Sequence, residues 1–130
     1  MILDSSVVVA VIVEESGYGR VLDRVAEFPE PSIGTPTLVE TGMVLTGRLG
    51  TLARSMLAAF LDEHAVTVLP FEHEHWPLAL RAFTQYGKGR HPAGLNLGDC
   101  FTYATARAAA EPVLCLGDDF GQTDLEVVPL

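Results

Sequence analysis

The sequence predicts an α/β protein: a mostly parallel central sheet of four to five strands covered by helices on both faces. Short apolar runs alternate along the chain with segments of helical periodicity, a pattern typical of βαβ units. The 130 residues are 48% hydrophobic, with a mean hydropathy of +0.29. That is enough apolar material for one packed domain, which we expect to span 1–130.

The N-terminal stretch MILDSSVVVAVIV is interpreted as a strand that stops at Asp4, followed by a short helix. The β-branched run 7–13 favours a strand by propensity alone, but a strand of thirteen residues would be unusually long. Ser5 and Ser6 are good N-caps for a helix at this point. An acidic residue directly after an apolar strand is costly to bury without a compensating cation.

The remaining elements follow from periodicity, caps and breakers. Asn96 is expected to cap a helix that ends near Ala110, and Thr35 and Thr51 are expected to cap two earlier helices. The predicted helices are 18–28, 36–48, 52–64, one that opens at Trp76-Pro77, and one from the Asn96 cap to about Ala110; the predicted strands are 32–34, 66–69, 113–116 and 125–128.

Composition excludes several classes of function. The formal net charge is −9 and the pI is about 4.7, which argues against general nucleic-acid binding and suits a basic protein partner. Cys100 and Cys115 have no framework spacing, so we expect reduced thiols and a cytoplasmic location. The apolar N-terminal run is too short for a membrane span, and no P-loop, dinucleotide fingerprint or nucleophile elbow is present.

Four acidic positions are the candidates for chemistry. Asp4 follows the first strand, Glu40 lies early in the third helix, Asp99 lies three residues after Asn96, and Asp118 or Asp119 follows the strand ending near residue 116. Asp99 alone could be an ordinary first-turn acid, and Asp118 and Asp119 could be plain turn residues. If these acids converge, they require a cation. All-oxygen ligands select Mg²⁺ or Mn²⁺, which suits phosphodiester hydrolysis.

The tract Glu72-His73-Glu74-His75 is a weaker metal candidate. Its histidines are two residues apart and would not share a helix face. We interpret the tract as a solvated helix start.

Four segments together resemble PIN-domain proteins, and specifically the VapC-type toxins of bacterial type II toxin–antitoxin pairs. They are MILDSS, TPTLVETGMVL, HPAGLNLGDCFTYATA and LCLGDDFGQTDLEVV. The third is the most specific because it combines the cap, the acid, the cysteine and a Tyr-Ala helix. Their order and spacing extend the resemblance over nearly the whole chain.

The resemblance implies a three-layer α/β/α PIN fold and a metal-dependent endoribonuclease that cuts structured RNA, such as tRNA or rRNA, and so arrests translation. It makes Asp4 and Asp99 the principal Mg²⁺ ligands and Glu40 a third acid. The fourth acid is Asp118 or Asp119, with a slight preference for Asp118. The expected partners are a second copy of the chain and a VapB-type antitoxin, whose C-terminal tail fills the acidic groove, often with an arginine.

The RNA would then be held locally, by Lys88, Arg90 and His91 ahead of Asp99, and by Arg48. Two other functional classes stay open. A non-catalytic PIN-like binding module would keep the fold without turnover. An aspartyl phosphoacceptor domain would usually carry a second Asp at position 6, which is Ser6 here, and a lysine after Lys88, which is absent.

Overall fold

A computed structural model describes all 130 residues. Its centre is a sheet of four parallel strands in the order β3-β2-β1-β4. The strands are β1 (Ile2–Leu3), β2 (Ser32–Gly34), β3 (Thr67–Leu69) and β4 (Val113–Leu114). The predicted last strand, 125–128, is reduced to a single parallel bridge between Val113 and Val127. The predicted fold class is confirmed.

Six α-helices connect and cover the strands. They are α1 (Ser5–Ile12), α2 (Tyr18–Ala26), α3 (Thr35–Leu49), α4 (Ala53–Glu63), α5 (His75–Tyr86) and α6 (Leu97–Ala109). Short 3₁₀ turns at Gly50–Leu52 and Phe120–Gln122 complete the chain. None of the helices is long and apolar enough to cross a membrane.

The sheet separates two apolar cores, because successive side chains of a strand point to opposite faces. Leu3 packs into a core shared with Val7 of α1 and Phe60 of α4. Its neighbour Ile2 packs into the other core, with Tyr103 of α6. Helices α1–α4 therefore cover one face of the sheet and α5–α6 the other, which gives the three-layer arrangement.

The first helix shows how context overrides propensity. Its N-cap is Asp4, whose carboxylate accepts a hydrogen bond from the backbone N–H of Ser6, so the expectation that Ser5 or Ser6 caps the helix is wrong. The β-branched residues from Val7 to Val9 are buried, and the energy of their burial exceeds the small intrinsic cost of placing them in a helix.

Two other expected caps differ as well. Helix α3 begins at Thr35 itself, so Thr35 is not its cap. The Thr35 hydroxyl instead donates to the carbonyl of Leu69 at the end of β3, 2.7 Å away. Thr51 lies within a 3₁₀ turn and makes no cap for α4. Asn96 does cap α6, as predicted.

Helices α5 and α6 form an antiparallel hairpin. The loop between them is pinned at its base, where Leu95 N–H donates to Tyr86 O and Lys88 N–H donates to Leu95 O, each at 2.9 Å. The end of α5 is thereby held beside the start of α6. The loop 87–94 consequently lies next to the first turn that carries Asp99.

Candidate active site

The predicted acids lie at the carboxyl ends of the parallel strands, where α/β sheets bind their ligands. Asp4 directly follows β1, and Asp99 lies in the first turn of α6. The acids also lie close to the buried thiol of Cys115, just past β4, and their charges affect it. Burial raises its pKa to about 12, and the negative charges of Asp4, Asp119, Asp99 and Asp118 contribute in that order.

Asp4 is buried and its carboxylate is held from several sides. Oδ2 accepts hydrogen bonds from the N–H and the hydroxyl of Ser6, at 3.1 and 2.6 Å. Oδ1 accepts a bond from the Thr102 hydroxyl, at 3.0 Å. Ser6 Oγ in turn accepts a bond from the N–H of Leu116, at 3.0 Å. Asp4 is therefore fixed between β1, α6 and the segment after β4.

The Thr102 hydroxyl also lies 3.1 Å from the hydroxyl of Thr37, and both side chains are almost fully buried. Because Thr102 donates its one proton to Asp4, it accepts the proton of Thr37. Thr37 lies three residues before Glu40, and Thr102 lies three residues after Asp99. The threonine pair therefore joins the two helices that carry those acids.

Glu40 approaches the cluster from α3. Its Oε1 accepts a hydrogen bond from Ser5 Oγ at 3.3 Å, whereas Oε2 is buried and has no hydrogen-bond partner. Burial raises the pKa of Glu40, the charges of Asp4 and Asp99 raise it further, and the Ser5 bond opposes the change. A buried carboxylate oxygen without a donor is costly, and a cation would relieve that cost.

Gly98 makes room for this carboxylate. A Cβ at position 98 would lie 2.6 Å from Cδ of Glu40 and 2.7 Å from its Oε1, well inside van der Waals contact. The Glu40 side chain thus packs directly on the backbone of the first turn of α6. Any larger residue at this position would displace the carboxylate.

Asp99 forms a capping box with Asn96. The Asn96 Oδ1 accepts from Asp99 N–H, and Asp99 Oδ2 accepts from Asn96 N–H, each at 2.9 Å. Burial raises the pKa of Asp99, the bond from Asn96 lowers it, and the charges of Asp4 and Asp119 raise it. Asp118 does not contribute to this change, so the electrostatics favour Asp119 over Asp118 as the fourth acid, opposite to the slight preference from sequence.

The chemistry of these donors fits a hard divalent cation. Carboxylate oxygens are the ligands that Mg²⁺ and Mn²⁺ prefer, and Glu40 offers a buried oxygen with no other partner. No three His, Cys, Asp or Glu side chains are already arranged around one point where an ion could bind. Joint coordination by Asp4, Glu40 and Asp99 therefore requires side-chain rotation, and their assignment as metal ligands stays a prediction.

The predicted cationic residues occupy two different places. Lys88 and Arg90 are exposed on the loop beside the start of α6, and half-buried His91 accepts a hydrogen bond from Ala93 N–H at its Nδ1, at 3.0 Å. Arg48 lies at the far end of α3 and forms an ion pair with Glu15 at 3.1 Å. Eight helical residues, about 12 Å, separate Arg48 from Glu40, so we do not include it in the site.

The His73–His75 tract is divided between solvent and structure. His73 is exposed, whereas His75 is buried at the start of α5, where its Nδ1 accepts a bond from Glu72 N–H at 2.8 Å. The His75 ring also stacks on Phe71. These contacts give His75 a structural role.

Sequence reasoning missed Ser6, Thr102, Thr37 and Gly98. Helical spacing carried a usable signal for two of them, since Thr102 is at i+3 from Asp99 and Thr37 is at i−3 from Glu40. Ser6 was interpreted as a helix cap and not as a residue that holds the Asp4 carboxylate. Gly98 in a helical first turn is unfavourable by propensity. The need for glycine there is explained only by the Glu40 carboxylate, which packs against its backbone.

Comparison with known proteins first defines the class. The family model for the PIN domain matches residues 1–125. This chain is therefore a PIN-domain protein, in agreement with the parallel sheet and the acids at its carboxyl edge.

More closely related sequences define the family within that class. The chain is 44% identical over 127 residues to "Ribonuclease VapC36" of Mycobacterium tuberculosis, covering 97% of this chain and 91% of that protein. It is 34% identical over 128 residues to "Ribonuclease VapC" of Mycolicibacterium smegmatis, covering 98% and 99%. The chain belongs to the VapC ribonuclease family, and as a member it is a nuclease.

The fold also matches a solved structure of lower sequence similarity. The crystal structure of M. tuberculosis VapC20, described as a sarcin-ricin loop cleaving toxin, superposes with a TM-score of 0.81 at 19% identity. The match covers 99% of this chain and 98% of VapC20. At this identity the likeness concerns the fold, which is the three-layer PIN arrangement predicted from the sequence.

Proposed function

We propose that this chain is a Mg²⁺-dependent endoribonuclease that cuts phosphodiester bonds in structured RNA, tRNA or rRNA, and thereby inhibits translation. The observation that carries the proposal is the buried, unpartnered Oε2 of Glu40 beside Asp4 and Asp99. A site that leaves a carboxylate oxygen without a donor among other carboxylates is suited to a cation. Mn²⁺ is expected to substitute for Mg²⁺.

In this proposal Asp4, Glu40 and Asp99 hold the ion. When bound, the ion supplies Lewis-acid stabilisation of phosphate charge and lowers the pKa of water. Ser6 and Thr102 keep the Asp4 carboxylate oriented through their hydrogen bonds.

The remaining groups act around this centre. Asn96 fixes the first turn of α6 through its side-chain hydrogen bond. Asp119 contributes a further carboxylate at the exposed edge of the acid cluster. The exposed side chains of Lys88 and Arg90 contact the phosphates that flank the cleaved bond.

The proposal is tested with protein shown to be free of antitoxin, incubated with total bacterial RNA and Mg²⁺, Mn²⁺ or EDTA. We expect discrete fragments that require the metal and disappear in Asp4→Asn and Asp99→Asn variants whose circular dichroism is unchanged. Arg20→Ala, which changes an exposed arginine on α2, is the control and should cleave normally. Cleavage that continues in EDTA or in either Asn variant would contradict the site assignment.

A matched pair of variants decides the fourth acid. Asp119→Asn should reduce cleavage at least tenfold, because Asp119 acts on Asp99 directly. Asp118→Asn, one residue earlier and equally exposed, should change the rate much less. The reverse order would restore the preference for Asp118.

We further propose a cytoplasmic protein that is neutralised by a VapB-type antitoxin. The crystal structure of VapBC2 from Rickettsia felis, bound to a promoter DNA fragment, superposes on this chain with a TM-score of 0.76 at 15% identity, covering 98% of this chain and 96% of that chain. The net charge of −9 suits a basic segment of such a partner. Added antitoxin should abolish cleavage at a one-to-one ratio, and undiminished cleavage by a stably bound complex would contradict inhibition.

Self-association is the remaining element of the proposal. Apolar side chains of α3 and the turn after it are exposed, with Val39 at 57%, Met43 at 71% and Leu52 at 61%. Exposed apolar surface of this kind is typical of an interface between subunits. Light scattering should give the mass of a dimer, and Met43→Glu should give a monomer. A monomeric wild-type chain at micromolar concentration would refute the homodimer.

A further inference from the structure

An apolar stripe runs along the exposed face of α5 and is used by neither the core nor the acids. It consists of Trp76, Leu80 and Phe83, whose side chains are 53%, 55% and 39% exposed. Spacings of four and three residues place them in line on one helix face. We call these three residues the α5 stripe.

The free positive charge of the chain concentrates on α5 and on the loop that follows it. Of the eight Lys and Arg side chains, Arg24, Arg48 and Arg107 form ion pairs with carboxylates. Three of the other five belong to α5 or to the loop that follows it: Arg81, Lys88 and Arg90. In a chain of net charge −9, this is an unusual local concentration of unpaired cations.

One of these cations packs directly against the stripe. The guanidinium of Arg90 lies over the ring of Phe83, with its carbon 5.2 Å from the ring centroid, a cation–π contact. The acidic residues Glu72 and Glu74 lie near the opposite, Trp76 end of the stripe. Positive charge is therefore strongest at the end of the stripe next to the loop.

That end is also the one closest to the acids. The base of the loop is bonded to Leu95, four residues before Asp99. From Phe83 back to Trp76 the helix rises about 10 Å, the length of about three stacked bases at about 3.4 Å each. An RNA strand that leaves the acid cluster past Lys88 and Arg90 therefore meets the Phe83 end of the stripe first.

We propose that the α5 stripe, with Lys88 and Arg90, binds unpaired bases of the RNA beyond the cleavage position. The inference rests on the proposed ribonuclease function and adds the part of the substrate that it recognises. Aromatic side chains next to free cations are a common means by which proteins bind single-stranded nucleic acid, since bases stack on the rings and phosphates pair with the cations. Paired RNA cannot stack in this way, because its bases are already stacked on each other.

Trp76 is the only tryptophan in the chain, so its fluorescence reports directly on the stripe. The wild-type protein is titrated in EDTA, which prevents metal-dependent cleavage, with an unpaired RNA of ten nucleotides and with the same sequence as a duplex. We expect saturable quenching by the single strand and at least tenfold weaker binding of the duplex. The apparent affinity should fall with salt.

Variants are measured by the anisotropy of labelled RNA, which does not depend on the tryptophan. Trp76→Ala should weaken single-strand binding about five- to hundredfold, the range found when a stacking residue is truncated. Leu130→Ala, which removes an exposed apolar side chain at the C-terminus (42% exposed), should leave it unchanged. Lys88→Ala with Arg90→Ala should weaken binding and flatten the salt dependence by about two contacts, whereas Arg20→Ala should do neither.

Three results would overturn the inference. If the protein cleaves RNA in Mg²⁺ but the single strand leaves Trp76 fluorescence unchanged in EDTA, the ribonuclease function stands and the α5 stripe does not bind RNA. If the fluorescence instead depends on protein concentration without RNA, and the mass doubles in parallel, a second copy covers the stripe. If RNA is neither cleaved nor bound, the proposed function fails together with the inference.

Discussion

Replacing Gly98 by alanine should separate the stability of the fold from the geometry of the acids. The new Cβ would lie 2.6 Å from Cδ of Glu40 and 2.7 Å from its Oε1, whereas carbon contacts are optimal at about 3.5–4.0 Å. The Glu40 carboxyl group must therefore move by about 1 Å. It is the end of a flexible side chain, so the backbone need not move.

The magnitude follows from two opposing effects. Alanine in place of glycine within a helix stabilises it by about 1 kcal/mol, which corresponds to a rise of about 3–5 °C in Tm for a chain of this size. A displacement of about 1 Å at a reacting centre can cost about 100-fold in rate. We expect Gly98→Ala to melt at the same or a higher temperature and to cleave RNA about 100-fold more slowly.

The assay compares kcat/KM for RNA cleavage with the thermal midpoint, both measured on the same samples. Gly47→Ala is the control, because Gly47 is also helical and a Cβ there would meet no atom within 4 Å. It should gain stability without losing activity. Full activity of Gly98→Ala would refute the idea that Glu40 must lie against the first turn of α6.

Three further predictions concern the network around the acids and the buried thiols. Glu40→Gln should raise Tm in EDTA, because burial and the Asp4 charge disfavour the ionised acid. Mg²⁺ should stabilise the wild type more than this variant, and equal gains would contradict the metal role. Thr102→Val should cost about 1–3 kcal/mol of unfolding free energy and also lower kcat at unchanged KM, since Asp4 loses a donor; a loss of stability alone would make Thr102 purely structural. Burial raises the pKa of Cys100 to about 11 and of Cys115 to about 12 from an ordinary 9.0, so the unfolded chain loses these protons first. The stability that the two buried thiols contribute should be complete below pH 9 and fall as the pH rises from 9 to 12, as urea unfolding at each pH would measure. Neither thiol of the native protein should react with iodoacetamide at pH 8.

The features of the fold that depend on local pattern were predictable from the sequence. The cap at Asn96 and the alternation of strands with helices follow from side-chain chemistry and periodicity that need no tertiary information. For run 7–13, propensity favours a strand and length favours a helix; the structure has a helix there, with residues 7–10 buried. The caps at Thr35 and Thr51 were wrong because a hydroxyl bonds to the best available partner, and for Thr35 that partner is the Leu69 carbonyl on another strand.

The candidate site was predictable in its acids but not in what holds them. Asp4 and Asp99 follow from the positions of strand ends and helix starts, which the sequence encodes locally. The contacts of Thr102 with Asp4 and of Glu40 with Gly98 join residues 98 and 58 positions apart. Only packing brings such pairs together, so no local pattern in one sequence could reveal them.

The dual role of Asp4 explains why the fold and the site depend on each other. Its carboxylate caps α1 and is held by Thr102 of α6 and by Ser6, which bonds onward to Leu116. Loss of a helix cap costs about 1 kcal/mol, so Asp4→Asn, which keeps an oxygen acceptor, is the informative substitution. Asp4→Ala would remove cap and acid together.

The most direct test of the central claim is calorimetric titration of the purified chain with Mn²⁺, carried out in parallel on Asp99→Asn. If the acids at the carboxyl edge of the sheet form a metal site, the wild type binds the ion and the variant loses at least tenfold in affinity while keeping its fold. If the wild type does not bind Mn²⁺, or if both proteins bind it equally, these acids do not form the proposed metal centre.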